Sequence, residues 1–162
     1  YGRAPETRPH PRAFDLSGLV DEVAYAVGLN KHPQIRFENR VPTDFDLVAD
    51  PDQLFRVLQN LVRNAAEALG EEEGQIDIWA EYRGNDALIE VRDTGPGIPK
   101  SARENLFKPF KGSARTGGTG LGLASARELV EAHEGEITLV KSDDRGTIFC
   151  ISLPHKVDIA AQ

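Results

Sequence analysis

Three groups of residues have the types and spacing to do chemistry. The first is Asn60, Asn64 and Glu67, whose i, i+4, i+7 spacing predicts a shared strip along one flank of a helix. A carboxamide oxygen on such a strip can ligate magnesium, which takes oxygen ligands, keeps several waters and contacts substrate phosphate. The second is Asp93-Thr94-Gly95-Pro96-Gly97, directly after a strand-like run. Its glycines open a backbone path that side chains would block, and its carboxylate could accept a hydrogen bond from an exocyclic amine, selecting adenine over guanine. The third is Gly117-Gly118-Thr119-Gly120-Leu121-Gly122-Leu123 at the start of a helical pattern. Successive glycines running into a helix N-terminus aim backbone N–H groups and the positive dipole end at an anion. Each has a plainer reading: solvated or capping asparagines, a turn, and a flexible loop.

Two familiar phosphate cradles do not fit the third group. In G-x-G-x-x-G, Leu123 stands where the last glycine belongs, and no β-α-β unit surrounds it. In the P-loop pattern Gly112 and Gly117 are correctly spaced, but Gly118 replaces the lysine.

The elements that must position these groups are readable from periodicity. Residues 1–13 hold Pro5, Pro9 and Pro11 among Arg3, Arg8 and Arg12, which predicts a linker or arm. Asp15 is the expected cap of a first helix built on Leu16, Leu19, Val20, Val23 and Val27. Residues 35–39 and 45–49 read as two strands joined by a turn at Pro42-Thr43. In the second helix Asp50 is the cap, Pro51 fits the first position and Gln53 can complete a capping box. Leu54, Val57, Leu58, Leu61, Ala65, Ala68 and Leu69 form its apolar stripe, and Gly70 ends it. Residues 76–82 and 87–91 flank Gly84-Asn85 as a hairpin. A third long helix runs to about Ala132 with Leu123, Ala126, Arg127 and Val130 in its pattern, and residues 136–141 and 147–153 form a last hairpin.

Composition bounds the function class. The 162 residues suit one domain, 14–154 between the arm and a tail at 155–162. With 19 basic against 26 acidic residues and a net charge of −7, a broad grip on nucleic acid or an anionic membrane is disfavoured. No apolar run approaches the roughly 20 residues that cross a bilayer. Cys150 is alone and reads as a core thiol on a strand, suiting a reducing compartment. With no methionine, Tyr1 is expected to be the start of a fragment or processed chain.

The order of the three groups resembles that in sensor histidine kinases. Asn60-Leu61-Val62-Arg63-Asn64-Ala65 resembles the N box, residues 93–97 the G1 box, Phe107-Lys108-Pro109-Phe110 the F box, residues 118–123 the G2 box, and Gly146-Thr147 the last glycine box. The resemblance covers residues 14–154, nearly the whole chain. It implies the GHKL (Bergerat) fold, an α+β two-layer sandwich with a mixed, mostly antiparallel sheet covered on one face by about three helices. It also implies ATP and Mg2+ as ligands. Asn64 would be the magnesium ligand and Asn60 its neighbour beside the phosphates; Asp93 would be the adenine partner. Gly95 and Gly97 would shape the adenine pocket, with Phe110 at the edge of a lid over 111–116. Gly118, Thr119, Gly120, Leu121 and Gly122 would line the triphosphate, and Thr147 would sit near the base. Lys111 or Arg115 could reach the β or γ phosphate. A lid that closes on ATP is expected to be poorly ordered without it.

ATPases of the same fold, such as the gyrase, Hsp90 and MutL groups, carry a glutamate at the Asn60 position that activates water. A carboxamide cannot accept that proton, so Asn60 favours transfer to a protein acceptor over hydrolysis. Family acceptors lie in an upstream helical hairpin. Here only His133-Glu134 imitates their motif, and its place at a helix end before Gly135 reads as a cap. His10, His32 and His155 read as surface residues. The resemblance thus implies a cytoplasmic domain that phosphorylates a histidine on a separate dimerisation hairpin, with a response regulator as indirect partner. The fragment is expected to be a monomer and the full-length protein a homodimer; whether the parent is membrane-anchored is left open. A GHKL serine kinase of the anti-sigma type and a noncatalytic, nucleotide-free interaction module are the alternatives.

Overall fold

A computed structural model of the chain describes residues 8–108 and 121–155. Local chemistry sets the helices. In α1 (Leu16–Val27) the Asp15 carboxylate accepts the Gly18 N–H, and Gly28, at φ 85°, ends the helix by donating to Ala24 and Tyr25 carbonyls. A 3-10 turn follows at Leu29–Lys31. In α2 (Pro51–Leu69) Asp50 Oδ1 accepts the N–H groups of Asp52 at 3.0 Å and Gln53 at 3.1 Å. The capping box does not close as expected, because the Asp50 N–H donates to the His133 ring. A short α3 (Lys100–Arg103) precedes α4 (Leu121–Ala132). The three long helices match expectation; α3 and the 3-10 turn are additional.

The main sheet is mixed, in the order β2 (Ile35–Arg40), β4 (Gly74–Arg83), β5 (Asp86–Asp93), β7 (Gly146–Pro154), β6 (Glu136–Asp143). The β2–β4 pair is parallel and the rest are antiparallel. A separate antiparallel pair joins β1 (Arg12–Asp15) to β3 (Asp46–Ala49). The strands at 35–39 and 45–49 therefore belong to different sheets rather than to one turn-connected pair. Each finds a distant partner that covers its backbone, and Phe45 is drawn under Tyr82 in a stack with centroids 4.0 Å apart.

Alternation in the strands sends Ile76, Ile78, Ile89, Val91, Ile137, Phe149 and Ile151 to the face covered by helices. Against them α2 buries Leu54, Val57, Leu58, Leu61, Val62, Ala65 and Leu69. Each large aliphatic side chain removed from water contributes roughly 1.5–3 kcal/mol, so this helix is the spine of the core. Val62 is buried because α1 and α4 flank α2 on both sides. Ala68, expected in the stripe, is instead half-buried at the edge of a cleft.

The opposite face is polar. Glu38 bridges Arg36 and Arg40, Arg92 pairs with Glu90, and the Trp79 ring lies between the Arg40 and Arg92 guanidinium groups at 5.1 and 4.6 Å. Cys150 lies on this face, opposite Glu90, and is half-buried rather than in the core. Burial, reinforced by Glu90, raises its pKa and keeps it a thiol.

Both ends of the domain differ from expectation. Arg12 and Ala13, read as part of the arm, form β1 with Val48 and Ala49, and the His10 N–H donates to Asp50 Oδ2 at 2.8 Å. His155, read as tail, stacks on Tyr82 at 4.5 Å and donates its N–H to the Asn85 carbonyl.

Candidate functional site

The strip on α2 meets the opening of α4. Asn60 Nδ2 donates to the Gly122 carbonyl at 3.0 Å, and a Cβ added at Gly122 would stand 3.5 Å from Asn60 Cγ. With its amino group committed there, Oδ1 is the atom Asn60 can offer a cation. Asn64 is half-buried one turn further along the strip, and Glu67 is exposed at the cleft. Phe110, Lys111, Arg115, the expected lid at 111–116, Gly118, Thr119 and Gly120 lie outside the described residues, as does the side chain of Leu121.

Asp93 and Thr147 are partners in the β5–β7 register. Thr147 is buried, and Asp93 Oδ1 accepts the Gly95 N–H at 2.8 Å, which folds the chain after β5 into a tight turn. A Cβ at Gly146 would fall 2.0 Å from the Asp93 carbonyl oxygen, so only glycine lets β7 begin against that turn. Gly97 has φ 86°, and its Cβ would fall 2.1 Å from the Asp143 carbonyl oxygen.

Two residues that sequence reasoning did not single out hold this loop. Ser142 Oγ accepts the Ile98 N–H at 2.8 Å and lies 3.0 Å from Thr147 Oγ1. Arg103 donates through Nε to the Ile98 carbonyl at 3.0 Å and through Nη2 to the Ser142 carbonyl at 2.7 Å. Both are ordinary surface types, so only the geometry distinguishes them. Between the end of α2 and this loop lies an open cleft of about 800 Å³, lined by Glu67, Ala68, Pro96 to Lys100, Arg103 and Ser142 to Asp144. The Arg145 N–H and nearby Lys141 hold the Asp143 carboxyl at its rim below the usual carboxylate range. Phe107 of the expected F box packs edge-on to Phe149, with centroids 6.2 Å apart.

His133 follows α4 as expected of a cap, but its ring reaches further. Nδ1 lies 2.9 Å from the Leu129 carbonyl and Nε2 accepts the Asp50 N–H at 3.0 Å, which defines the Nδ1–H tautomer. That contact spans 83 residues and had no local signal. Glu134 takes the left-handed conformation, φ 62°, that a glycine would hold without strain.

Among the described residues no group of three His, Cys, Asp or Glu is placed to hold a metal, and no helix is long and apolar enough to cross a membrane. A cation here would need carboxamide, phosphate and water oxygens, a donor set that suits magnesium. Gly97 and Gly146 let the backbone pack closely around the turn that follows Asp93. The residues fit a magnesium-bound nucleotide.

A mixed sheet covered on one face by helices, with Asn60 of α2 set against Gly122 at the start of α4, defines a class of nucleotide-binding α+β domains. Residues 49–157 match the family described as histidine kinase-, DNA gyrase B-, and HSP90-like ATPase, and the chain belongs to it. Within that family it is a catalytic domain of the sensor histidine kinase type. It is 41% identical over 160 residues to the sensory histidine kinase/phosphatase NtrB of Salmonella typhimurium, covering 90% of this chain and 45% of NtrB. The chain spans roughly a third to under half the length of the curated relatives it matches. Among solved structures, the nucleotide-free catalytic domain of histidine kinase ThkA superposes with a TM-score of 0.79 at 32% identity, covering 90% of this chain and 95% of that one. Full-length ShkA in complex with AMPPNP matches with a TM-score of 0.75 at 29% identity, covering 89% of this chain and 31% of ShkA.

Proposed function

We propose that the domain binds ATP with Mg2+ and donates the γ-phosphoryl group to a histidine on a separate dimerisation and phosphoacceptor hairpin of the same kinase. The observation that carries this reading is the Asn60–Gly122 contact, which sets a carboxamide strip against the opening of α4. The structure of full-length ShkA, which this chain resembles, is a complex with AMPPNP, and this supports a nucleotide as the ligand.

In this reading Asp93 accepts the adenine amino group from beside the buried Thr147, and Asn64 and Asn60 offer carboxamide oxygens to the cation. Bound Mg2+ supplies charge neutralisation on the β and γ phosphates. Backbone N–H groups at the start of α4 and the positive end of its dipole complement the phosphate charge, and Lys111 or Arg115 reaches the terminal phosphates. Because Asn60 is not a base, water is left unactivated and the incoming imidazole supplies its own nucleophile. The ATP requirement places the domain in the cytoplasm. The fragment is monomeric, the full-length protein dimerises through its upstream hairpin, and a response regulator receives the phosphoryl group.

The test is to mix the chain with γ-labelled ATP, Mg2+ and isolated phosphoacceptor hairpins of sensor kinases, and to assay the product for acid lability. An acid-labile, base-stable phosphoprotein is expected. An acid-stable phosphoserine on an anti-sigma-type substrate would replace this reading with the serine-kinase one. Failure to bind an ATP analogue with Mg2+ in calorimetric titration would leave only an interaction module.

A further inference from the structure

The geometry points to Arg103 and Ser142 as positioning residues for the base-side wall of the cleft; this rests on the nucleotide reading above. The wall is the backbone of Gly97 and Ile98, and a closed ring of hydrogen bonds secures it. Ile98 N–H donates to Ser142 Oγ, the Ser142 carbonyl accepts from Arg103 Nη2, and Arg103 Nε donates to the Ile98 carbonyl. Both polar groups of Ile98 are thereby tied to β6, the N–H directly through Ser142 Oγ and the carbonyl through Arg103. The guanidinium suits the task because its planar fork holds two carbonyls in one fixed geometry, which an ammonium cannot.

The ring has a consequence for the ligand. Ile98 and the two residues flanking it line the cleft, together with Arg103 and Ser142 themselves. Ser142 Oγ also lies 3.0 Å from Thr147 Oγ1, which is opposite Asp93 in the β5–β7 register. A single chain of contacts therefore runs from Arg103 through Ser142 and Thr147 to the strand pair that carries Asp93. Gly97 is already pressed against the Asp143 carbonyl, so the wall cannot retreat toward β6. Arg103 and Ser142 stop it from lifting the other way. Both act on the Ile98 segment and on the strand pair that carries Asp93, so their effect belongs to recognition of the base.

The experiment compares Arg103→Met and Ser142→Ala with the unaltered chain, measuring affinity for Mg-AMPPNP by calorimetry and for Mg-tripolyphosphate, which has no base, by thermal shift. Each variant is expected to weaken AMPPNP about 5- to 10-fold, the loss of one or two hydrogen bonds, while the response to tripolyphosphate stays within about twofold. Arg103→Lys, which can still reach one carbonyl, is expected to recover part of the loss and serves if Arg103→Met does not fold. AMPPNP affinity within about twofold of the unaltered chain in folded variants overturns the inference. So does an equal loss for tripolyphosphate, the signature of a general structural defect. If the unaltered chain binds no AMPPNP, the nucleotide reading itself is overturned and the inference with it.

Discussion

Replacing Asp50 tests how the N-terminal end of the domain is secured. Its carboxylate is buried and accepts three backbone N–H groups, from Asp52 and Gln53 on Oδ1 and from His10 on Oδ2. Asp50→Ala removes the helix cap, costing about 0.5–2 kcal/mol. It also removes the bond from His10, worth about 1.5–3 kcal/mol on a charged acceptor and less where the arm can fray into water. The sum is about 3 kcal/mol, a large part of the roughly 5–15 kcal/mol typical of a domain. Asp50→Asn can keep a cap oxygen and loses only the tie to His10, so it should cost about 1–1.5 kcal/mol. Burial acts to raise the Asp50 pKa, but the three N–H donors outweigh it, leaving the carboxyl below its ordinary value. A lowered folded-state pKa contributes stability that is complete above the unfolded value of about 4 and is lost as pH falls through the folded value. Urea unfolding of the three proteins at pH 7, repeated in steps toward pH 2, should therefore rank unaltered above Asn above Ala, with the gaps closing in acid. An Asn variant as stable as the unaltered protein would refute the role given to Oδ2, and equal Asn and Ala midpoints, or an Ala cost under about 1 kcal/mol at pH 7, would refute the role given to the cap.

Glu134→Gly should stabilise the domain by about 1 kcal/mol, because it relieves a left-handed backbone; thermal denaturation should show a rise of about 2–4 °C. His133→Leu leaves the Asp50 N–H without its acceptor and should cost about 1–3 kcal/mol in the same denaturant assay. Gly97→Ala must move a backbone that now lies 2.1 Å from the added Cβ, at φ 86°. Calorimetry should show loss of at least tenfold in affinity for Mg-AMPPNP, larger than any effect on its melting temperature.

What could be read in advance was what neighbouring residues determine together. Asp50-Pro51 and the stripe beginning at Leu54 mark the start of α2 within a few residues, and Gly84-Asn85 sets the turn between β4 and β5. The place of Asn60, Asn64 and Glu67 along one flank of α2 was legible because helical spacing is a local property. Pairings made across the chain were not. Arg12 and Ala13 sit after Pro9 and Pro11 in a stretch that looks like a linker, and they become a strand only because Val48 and Ala49 are available. Residues 35–39 and 45–49 look like hairpin partners, yet β2 lies parallel to a strand reached only after the whole of α2. Val62 is not part of the helical stripe, and is buried because α1 and α4 pack against its helix. Arg103, Ser142 and His133 acquire roles from carbonyl and N–H groups that tertiary structure brings to them.

Trp79 is the chain's single tryptophan, and it stands on the uncovered face of the sheet, clasped by Arg40 and Arg92 and away from the cleft. Its indole emission is consequently a natural optical gauge of whether the sheet is intact. Loading the cleft should leave that signal almost unchanged, whereas denaturation, by releasing both guanidinium groups, should alter it strongly. The domain thus carries a label-free readout of folding that does not report on what occupies its working side.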